Sequence, residues 1–316
     1  MSSRRATAGI LWLWALLMFA ACAAPPAPPA ATSIPTPSPG PSLAPSRTRF
    51  DGQRAYQHVL DQCALGPRPP GTPALRRTAD YILSQLTASG WITETQVFDY
   101  QGVAGQNIYG KRGNGPLLIL GAHYDTRPIA DRDPEPANRN APILGANDGG
   151  SGVAVLLELA RVLGGAPLQN EVWLTFFDLE DSGEINGWPW GVGSQYAADH
   201  LTEKPQAVIV VDMVGDSDQQ IYWEGNSDPA LLRDIWAIAA DLGYGQHFIP
   251  QYKYTIIDDH VPFREKGIPA VDLIDFDYPR PDLNYHHTLQ DTCDKVSAAP
   301  LERVGRTLQQ YVLGAR

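Results

Sequence analysis

Apolar residues in this chain recur at two spacings, and the change from one to the other marks its elements. Over 51–65 and 75–89 they fall at helical spacing. The intervening Gly66-Pro-Arg-Pro-Pro-Gly71 is dense in helix breakers, so the pattern predicts a helical hairpin. Residues 92–100 alternate polar and apolar and 106–111 form a second strand, which together predict an antiparallel edge. A different pattern follows: short, nearly continuous apolar runs at 116–122, 172–177, 207–211 and 270–274, as strands covered on both faces require. Helices are predicted over 153–163, 193–201, 229–242 and 300–313, with a further strand at 220–223. Strands alternating with helices predict an α/β fold: a three-layer sandwich whose mostly parallel, mixed central sheet carries helices on both faces. There is no internal repeat.

Polar chemistry begins where the buried runs stop. The 172–177 run ends on Phe177-Asp-Leu-Glu180-Asp181, with two adjacent carboxylates; 116–122 ends on His123-Tyr-Asp125, and 207–211 on Asp212. A long loop rich in Pro, Asp and Asn leads to Asn147-Asp148-Gly149-Gly150-Ser151-Gly152 and then a helix. These glycines let backbone pack closely beside Asp148, Ser151 is placed to cap the helix, and the Lys-Ser/Thr ending of a phosphate loop is absent. In open α/β sheets the carboxyl ends of parallel strands face the ligand crevice. His123, Asp148, Glu180 with Asp181, and Asp212 are therefore offered to one place, with His287 on a late loop as a fifth candidate. Any one of them alone is better explained as a cap, a loop acid or a satisfied buried histidine; their order and spacing together are less ordinary. Imidazole nitrogen with carboxylate oxygen is a zinc donor set, for one ion or for two bridged by a carboxylate.

The first fifty of the 316 residues do not read as globular. Arg4 and Arg5 precede an apolar run, 10–21, too short to span a bilayer comfortably and closed by small residues before Cys22, the pattern of a signal peptide. Phe19-Ala-Ala-Cys22 resembles a bacterial lipobox, which implies lipidation of Cys22. Phe19 stands where leucine is usual, so simple cleavage is the alternative. From 23 to 46 the chain is Pro, Ala, Ser and Thr with nine prolines, a composition that buries no core and favours extended chain. The expected organisation is a signal peptide with lipobox Cys22 (1–22), a Pro-rich tether (23–49) and a catalytic domain (50–316), exported and held at the bacterial cell envelope by a lipid anchor. Removing residues 1–21 takes away two arginines and no acid, moving the formal charge from −11 to about −13, which argues against nucleic acid as a partner. Apart from Cys22 only Cys63 and Cys293 remain, a pair that allows one disulfide, with two buried thiols as the alternative.

His123-Tyr-Asp125, Gly145-Ala-Asn-Asp148, Phe177-Asp-Leu-Glu180-Asp181, Val211-Asp212 and His287-Thr288 resemble, in order, the motifs of the zinc aminopeptidase and glutaminyl cyclase superfamily, over about residues 55–315. The resemblance implies Asp148, Asp181 and His287 as zinc ligands and Glu180 as general base. His123 and Asp212 match the ligands of a second zinc in aminopeptidases. Asp181 departs from the glutamate of many relatives but carries the same donor oxygens. Ile257-Asp258-Asp259-His260-Val-Pro-Phe263 and the following Gly267–Asp275 look most like the cyclase branch. That likeness implies conversion of N-terminal glutamine to pyroglutamate with loss of ammonia, and a hydrogen-bonded network of Asp258 with Glu180 and Asp212. His286 stands where that branch places tryptophan. Trp188 and Trp190 are placed to wall a substrate pocket, with the resemblance pointing near Trp188. The implied substrates are peptide or protein N-termini and the implied state a monomer, with one zinc for a cyclase and two for an aminopeptidase. The alternatives are that two-zinc aminopeptidase and a non-catalytic binding domain on the same fold.

Overall fold

The computed structural model describes residues 48–314; the signal segment, Cys22 and the tether up to residue 47 lie outside the described residues. In chain order the elements are α1 (Gly52–Leu65), α2 (Pro73–Ala88), β1 (Ile92–Tyr100), β2 (Val103–Arg112), β3 (Leu117–His123), α3 (Gly150–Leu163), β4 (Glu171–Phe177), α4 (Val192–Asp199), β5 (Ala207–Asp212), β6 (Ile221–Glu224), α5 (Pro229–Asp241), β7 (Phe248–Tyr254), α6 (Val261–Glu265), β8 (Ala270–Ile274) and α7 (Ala298–Gly314). Local chemistry sets the first boundaries. Asp51 caps α1 by accepting from the Gln53 N–H at 2.9 Å, and Thr72 caps α2, with Pro73 in its first turn.

The main sheet runs β1-β2-β4-β3-β5-β8. The β1/β2 and β2/β4 pairs are antiparallel and the other three parallel, so β3, β4, β5 and β8 all end at one edge. The chain passes from β3 to β4 on one side and then to β5 on the other, a reversal that opens a crevice at the strand ends. Alternate residues divide between two cores. Leu118, Leu120, Leu174 and Ile209 join α1, α2, α3, α5 and α7 on one face, while Leu117, Ile119, Val208 and Val210 meet α4 and Phe263 of α6 on the other. Three layers result, and each fully buried Leu or Val contributes about 1.5–3 kcal/mol. The helix α3 is buried on every side except at Arg161. It lies so close to the sheet that a Cβ on Gly152 would fall 2.0 Å from the Val211 carbonyl oxygen.

One local expectation is corrected. Ser151 does not cap α3; the N-cap is Gly149. Its Oγ donates to the Asn147 carbonyl at 2.6 Å and accepts from the Val214 N–H at 3.0 Å, tying the loop after β5 to the turn before α3. The strand at 221–224 lies outside the main sheet and pairs in parallel with β7. The pattern conceals β7 because Pro250, Gln251, Tyr252 and Lys253 are exposed and only Phe248 is buried. The two helices of the predicted pair are present, and α1 packs mainly on α3 and α7.

Cys63 and Cys293 form a disulfide between α1 and the segment leading into α7, across 230 residues of sequence. Closing so long a loop restricts the unfolded chain. Replacing both cysteines by alanine is therefore expected to lower unfolding stability by about 2–4 kcal/mol, read as a lower denaturation midpoint. An unchanged midpoint would show that the cross-link carries no stability.

Candidate metal centre

Strand ends deliver the side chains. β3 brings His123, the extension of β4 brings Glu180 and Asp181, β5 brings Asp212, the turn before α3 brings Asp148, and the loop between β8 and α7 brings His287. Consecutive residues on a strand face opposite ways, yet Glu180 and Asp181 line the same cavity. The backbone accounts for this: Leu179, just before the pair, sits at φ 57°, Met213 just after Asp212 at φ 49°, and His287 itself at φ 58°. Left-handed conformations of non-glycine residues cost about 1–3 kcal/mol each and persist where surrounding structure enforces them.

Two buried aspartates brace backbone on either side of the site. Asp125 accepts from the Glu180 N–H at 3.1 Å and from the Asp181 N–H at 3.2 Å, one oxygen to each. Asp291 accepts from the N–H of Asn147 at 2.9 Å, from that of Asp148 at 3.2 Å and from the Tyr278 hydroxyl at 3.0 Å. The fully buried Arg68 spans the opposite side, donating to the carbonyls of Tyr124, Leu144 and Gly145 at 3.0, 2.9 and 2.8 Å. No functional expectation was attached to these three residues. Asp125 lies in the His123-Tyr-Asp125 motif and was within reach of sequence reasoning. Asp291 and Arg68 have no local signal, because the Arg68 side chain meets only backbone carbonyls of distant segments and Asp291, besides the Tyr278 hydroxyl, meets backbone N–H groups 144 and 143 residues away.

The five expected ligands come together. His123 Nε2 lies 3.1 Å from both Asp148 Oδ1 and Asp212 Oδ1. His287 Nε2 lies 3.1 Å from Asp181 Oδ1 and 3.6 Å from Asp148 Oδ2. Asp148 Oδ2 and both oxygens of Asp181 are buried and have no hydrogen-bond partner among the described residues. Buried acceptors left unpaired are costly, and carboxylates converging in this way require a cation. Burial, reinforced by Asp148, pushes Asp181 well above the usual carboxylate range. Burial likewise raises Glu180, with Asp258, Asp259 and Asp181 adding to it, and raises Asp212 to about 7. Burial opposes the ionisation of Asp148 too, but its bond to His123 and the neighbouring imidazoles outweigh this and hold it low. Burial, helped by Arg127 and Arg132, brings His287 down to about 3; a neutral imidazole is the form that binds metal. Donor types, orphaned oxygens and a neutral histidine fit zinc.

Beside these groups is a cavity of about 260 Å³, lined also by Asp258, Met213, Ile256, Ile257, Ile274, Phe276 and His286. Asp258 shares this cavity with Glu180 and Asp212, but no hydrogen bond joins the three carboxyls directly among the described residues; Asp258 accepts from the Asp259 N–H. The expected pocket tryptophan is displaced by two positions. Trp188 packs edge-on against Tyr100, ring centres 5.0 Å apart, in a satellite cluster with Phe98 and Leu179. Trp190 lines the cavity instead and stacks on His287 at 5.8 Å and 13°. Left-handed Glu184, Asn186 and Gly191 turn this loop so that the half-buried indole of Trp188 reaches apolar partners away from the site.

Residues 107–312 match peptidase family M28. Among solved structures, the glutaminyl cyclase of Bacteroides thetaiotaomicron bound to N-acetylhistamine is 32% identical with a TM-score of 0.79, covering 85% of this chain and 99% of that one. A leucine aminopeptidase precursor from the same organism is similar to the same degree, 32% identical with a TM-score of 0.79, covering 85% of this chain and 98% of that one. The aminopeptidase YwaD of Bacillus subtilis is 29% identical over 204 residues, 60% of this chain; the chain spans only 39% of that relative's length. The match to the family extends over more than half of the sequence and takes in every metal-binding candidate: the chain belongs to peptidase family M28.

Proposed function

We propose that this chain is a zinc-dependent enzyme of peptide N-termini that converts N-terminal glutamine to pyroglutamate. The observation that carries the reading is where the unpaired oxygens lie. They are Asp148 Oδ2 and the two oxygens of Asp181, which have no hydrogen-bond partner among the described residues although His287 Nε2 stands 3.1 Å from Asp181 Oδ1, whereas Asp212 Oδ1 is hydrogen-bonded to His123 Nε2 at 3.1 Å. One ion, held by Asp148, Asp181 and His287, satisfies the orphans. Zinc bound there would polarise the side-chain amide carbonyl of the substrate glutamine. Glu180, its backbone clamped by Asp125 and its side chain facing the cavity, takes a proton from the α-amine as that nitrogen attacks the amide carbon. The carbon–nitrogen bond to the amide nitrogen breaks, and Glu180 returns the proton to the departing ammonia. Asp212 and Asp258 border the same space and set the acidic surroundings of Glu180. A cavity of about 260 Å³ with an apolar wall of Met213, Ile256, Ile274 and Phe276 suits one side chain held in a folded-back pose.

A second reading has its own observation. The donor atoms of His123, Asp148 and Asp212 lie within 4.8 Å of one another, close enough to hold a second ion. In that case Glu180 activates water and the first peptide bond is hydrolysed. The two readings differ in metal count and in product.

The same proposal places the catalytic domain, 50–316, outside the cytoplasm, tethered through residues 23–49 to a lipid on Cys22. The Cys63–Cys293 disulfide supports an oxidising compartment. The same proposal takes the domain as a monomer.

The zinc-loaded protein given a glutamine-initiated peptide is expected to release ammonia from an otherwise intact peptide, with one zinc per chain by elemental analysis. Release of the first amino acid with two zincs per chain would establish the peptidase instead. Glu180→Gln is expected to lower kcat by about 10²–10⁴-fold while zinc content stays at the wild-type value. Near-wild-type turnover in that variant would remove Glu180 from the mechanism.

A further inference from the structure

The cavity is acidic on its inner side, where Asp148, Glu180, Asp181, Asp212 and Asp258 meet, yet one guanidinium lines it. Arg132 is the one Lys or Arg among the described lining residues, and its side chain is exposed. Its backbone N–H donates to the His287 carbonyl at 3.2 Å, fixing its position beside the metal-binding loop. Its Nη1 lies 3.1 Å from His286 Nδ1. A guanidinium can only donate, so Nδ1 accepts and the neutral His286 ring carries its proton on Nε2, 3.8 Å from Asp148 Oδ2. His286 is thereby a wall and a brace for the arginine. The neighbouring basic group is already engaged: Arg127 holds both oxygens of Asp131 at 2.7 Å. Arg132 makes no ion pair among the described residues, and its remaining donors are free to meet an incoming group.

We propose that Arg132 is an anion subsite at the mouth of the pocket, taking a carboxylate carried by the residue next to the substrate's N-terminal one. Two sources present that chemistry, the side chain of an acidic second residue and the free C-terminal carboxylate of a dipeptide. A planar guanidinium pairs with either in two-pronged geometry. The charge layout favours such substrates: the acidic interior draws the α-ammonium inward while Arg132 holds the negative group at the rim. The exposed Glu184 also lines the cavity and would receive a cationic second residue, so the two charge signs compete directly. This subsite rests on the reading of the enzyme as one of peptide N-termini.

The test uses the zinc-loaded full-length protein. Glutamine peptides with Glu or Lys in second place, C-terminally amidated, are compared with Gln-Gly as free acid and as amide. Wild type is expected to prefer Glu over Lys, or free acid over amide, by about five- to tenfold in kcat/KM, mainly through KM, with the ratio shrinking as salt rises. Whichever pair shows the preference identifies the source of the carboxylate. Arg132→Ala is expected to bring that ratio to one and Arg132→Glu to invert it; a ratio between substrates is insensitive to a general loss of activity. If the protein cleaves leucine peptides and cyclises none, the Leu-Glu and Leu-Lys pair reads the same subsite, and only the cyclase reading falls. Binding of pyroglutamyl-Glu against pyroglutamyl-Lys by calorimetry gives the comparison without turnover. No preference in wild type in either pair, neither acidic over basic second residue nor free acid over amide, or a preference that survives Arg132→Ala, would overturn the subsite.

Discussion

Buried negative charge is the constraint that the rest of this molecule answers to. Asp148, Glu180, Asp181, Asp212 and Asp258 all border one cavity, and the three that converge with His123 and His287 are nearly inaccessible to water. Carboxylates in such surroundings must find a proton, a donor or a cation. His123 serves Asp148 and Asp212 as a shared donor. Asp181 and one oxygen of Asp148 have no hydrogen-bond partner among the described residues, Arg127 Nη1 standing 3.6 Å from Asp181 Oδ1, and burial with the charge of Asp148 pushes Asp181 upward. An imidazole held neutral by its own burial, His287, completes a donor set that only a metal ion satisfies in full.

Holding those groups together is the task of the scaffold. The parallel strands β3, β4 and β5 end at one edge, so three separate segments of sequence end beside one another, with His123 and Asp212 in hydrogen-bonding range. Gly152 lets α3 sit directly on the end of β5, which brings Asp148 into the same space. The aspartates behind the ligands act on backbone rather than on metal. Asp125 fixes the N–H groups of Glu180 and Asp181, and Asp291 those of Asn147 and Asp148. The contacts of Asp125 hold the pair that directly follows the left-handed Leu179. The disulfide to Cys293 anchors the end of the segment that carries His287 and Asp291.

In the proposed mechanism the pocket sets reaction and selectivity by different residues. Glu180 faces the cavity beside Asp181, so one carboxylate of an adjacent pair would bind metal while the other stays free for a proton. Selectivity lies further out, where Arg132 braced on His286 and the exposed Glu184 present opposite charges to whatever follows the first residue of a substrate.

Periodicity alone determined the α/β class, the four buried strands and the polar residues at their ends, because strand burial and strand termination are written in consecutive residues. The order of His123, Asp148, Glu180-Asp181, Asp212 and His287 determined the chemistry worth looking for. Tertiary structure decided what depends on distant partners. Which face Ser151 serves, which of Trp188 and Trp190 meets His287, and that β7 pairs with β6 outside the main sheet all turn on neighbours far away in sequence. So does the pairing of Cys63 with Cys293, and so do the roles of Asp291 and Arg68, which brace backbone groups that no side-chain pattern records. The division follows from range: a repeat of two or 3.6 residues is a local property of the chain, whereas a hydrogen bond across 143 residues exists only once the fold has closed around it.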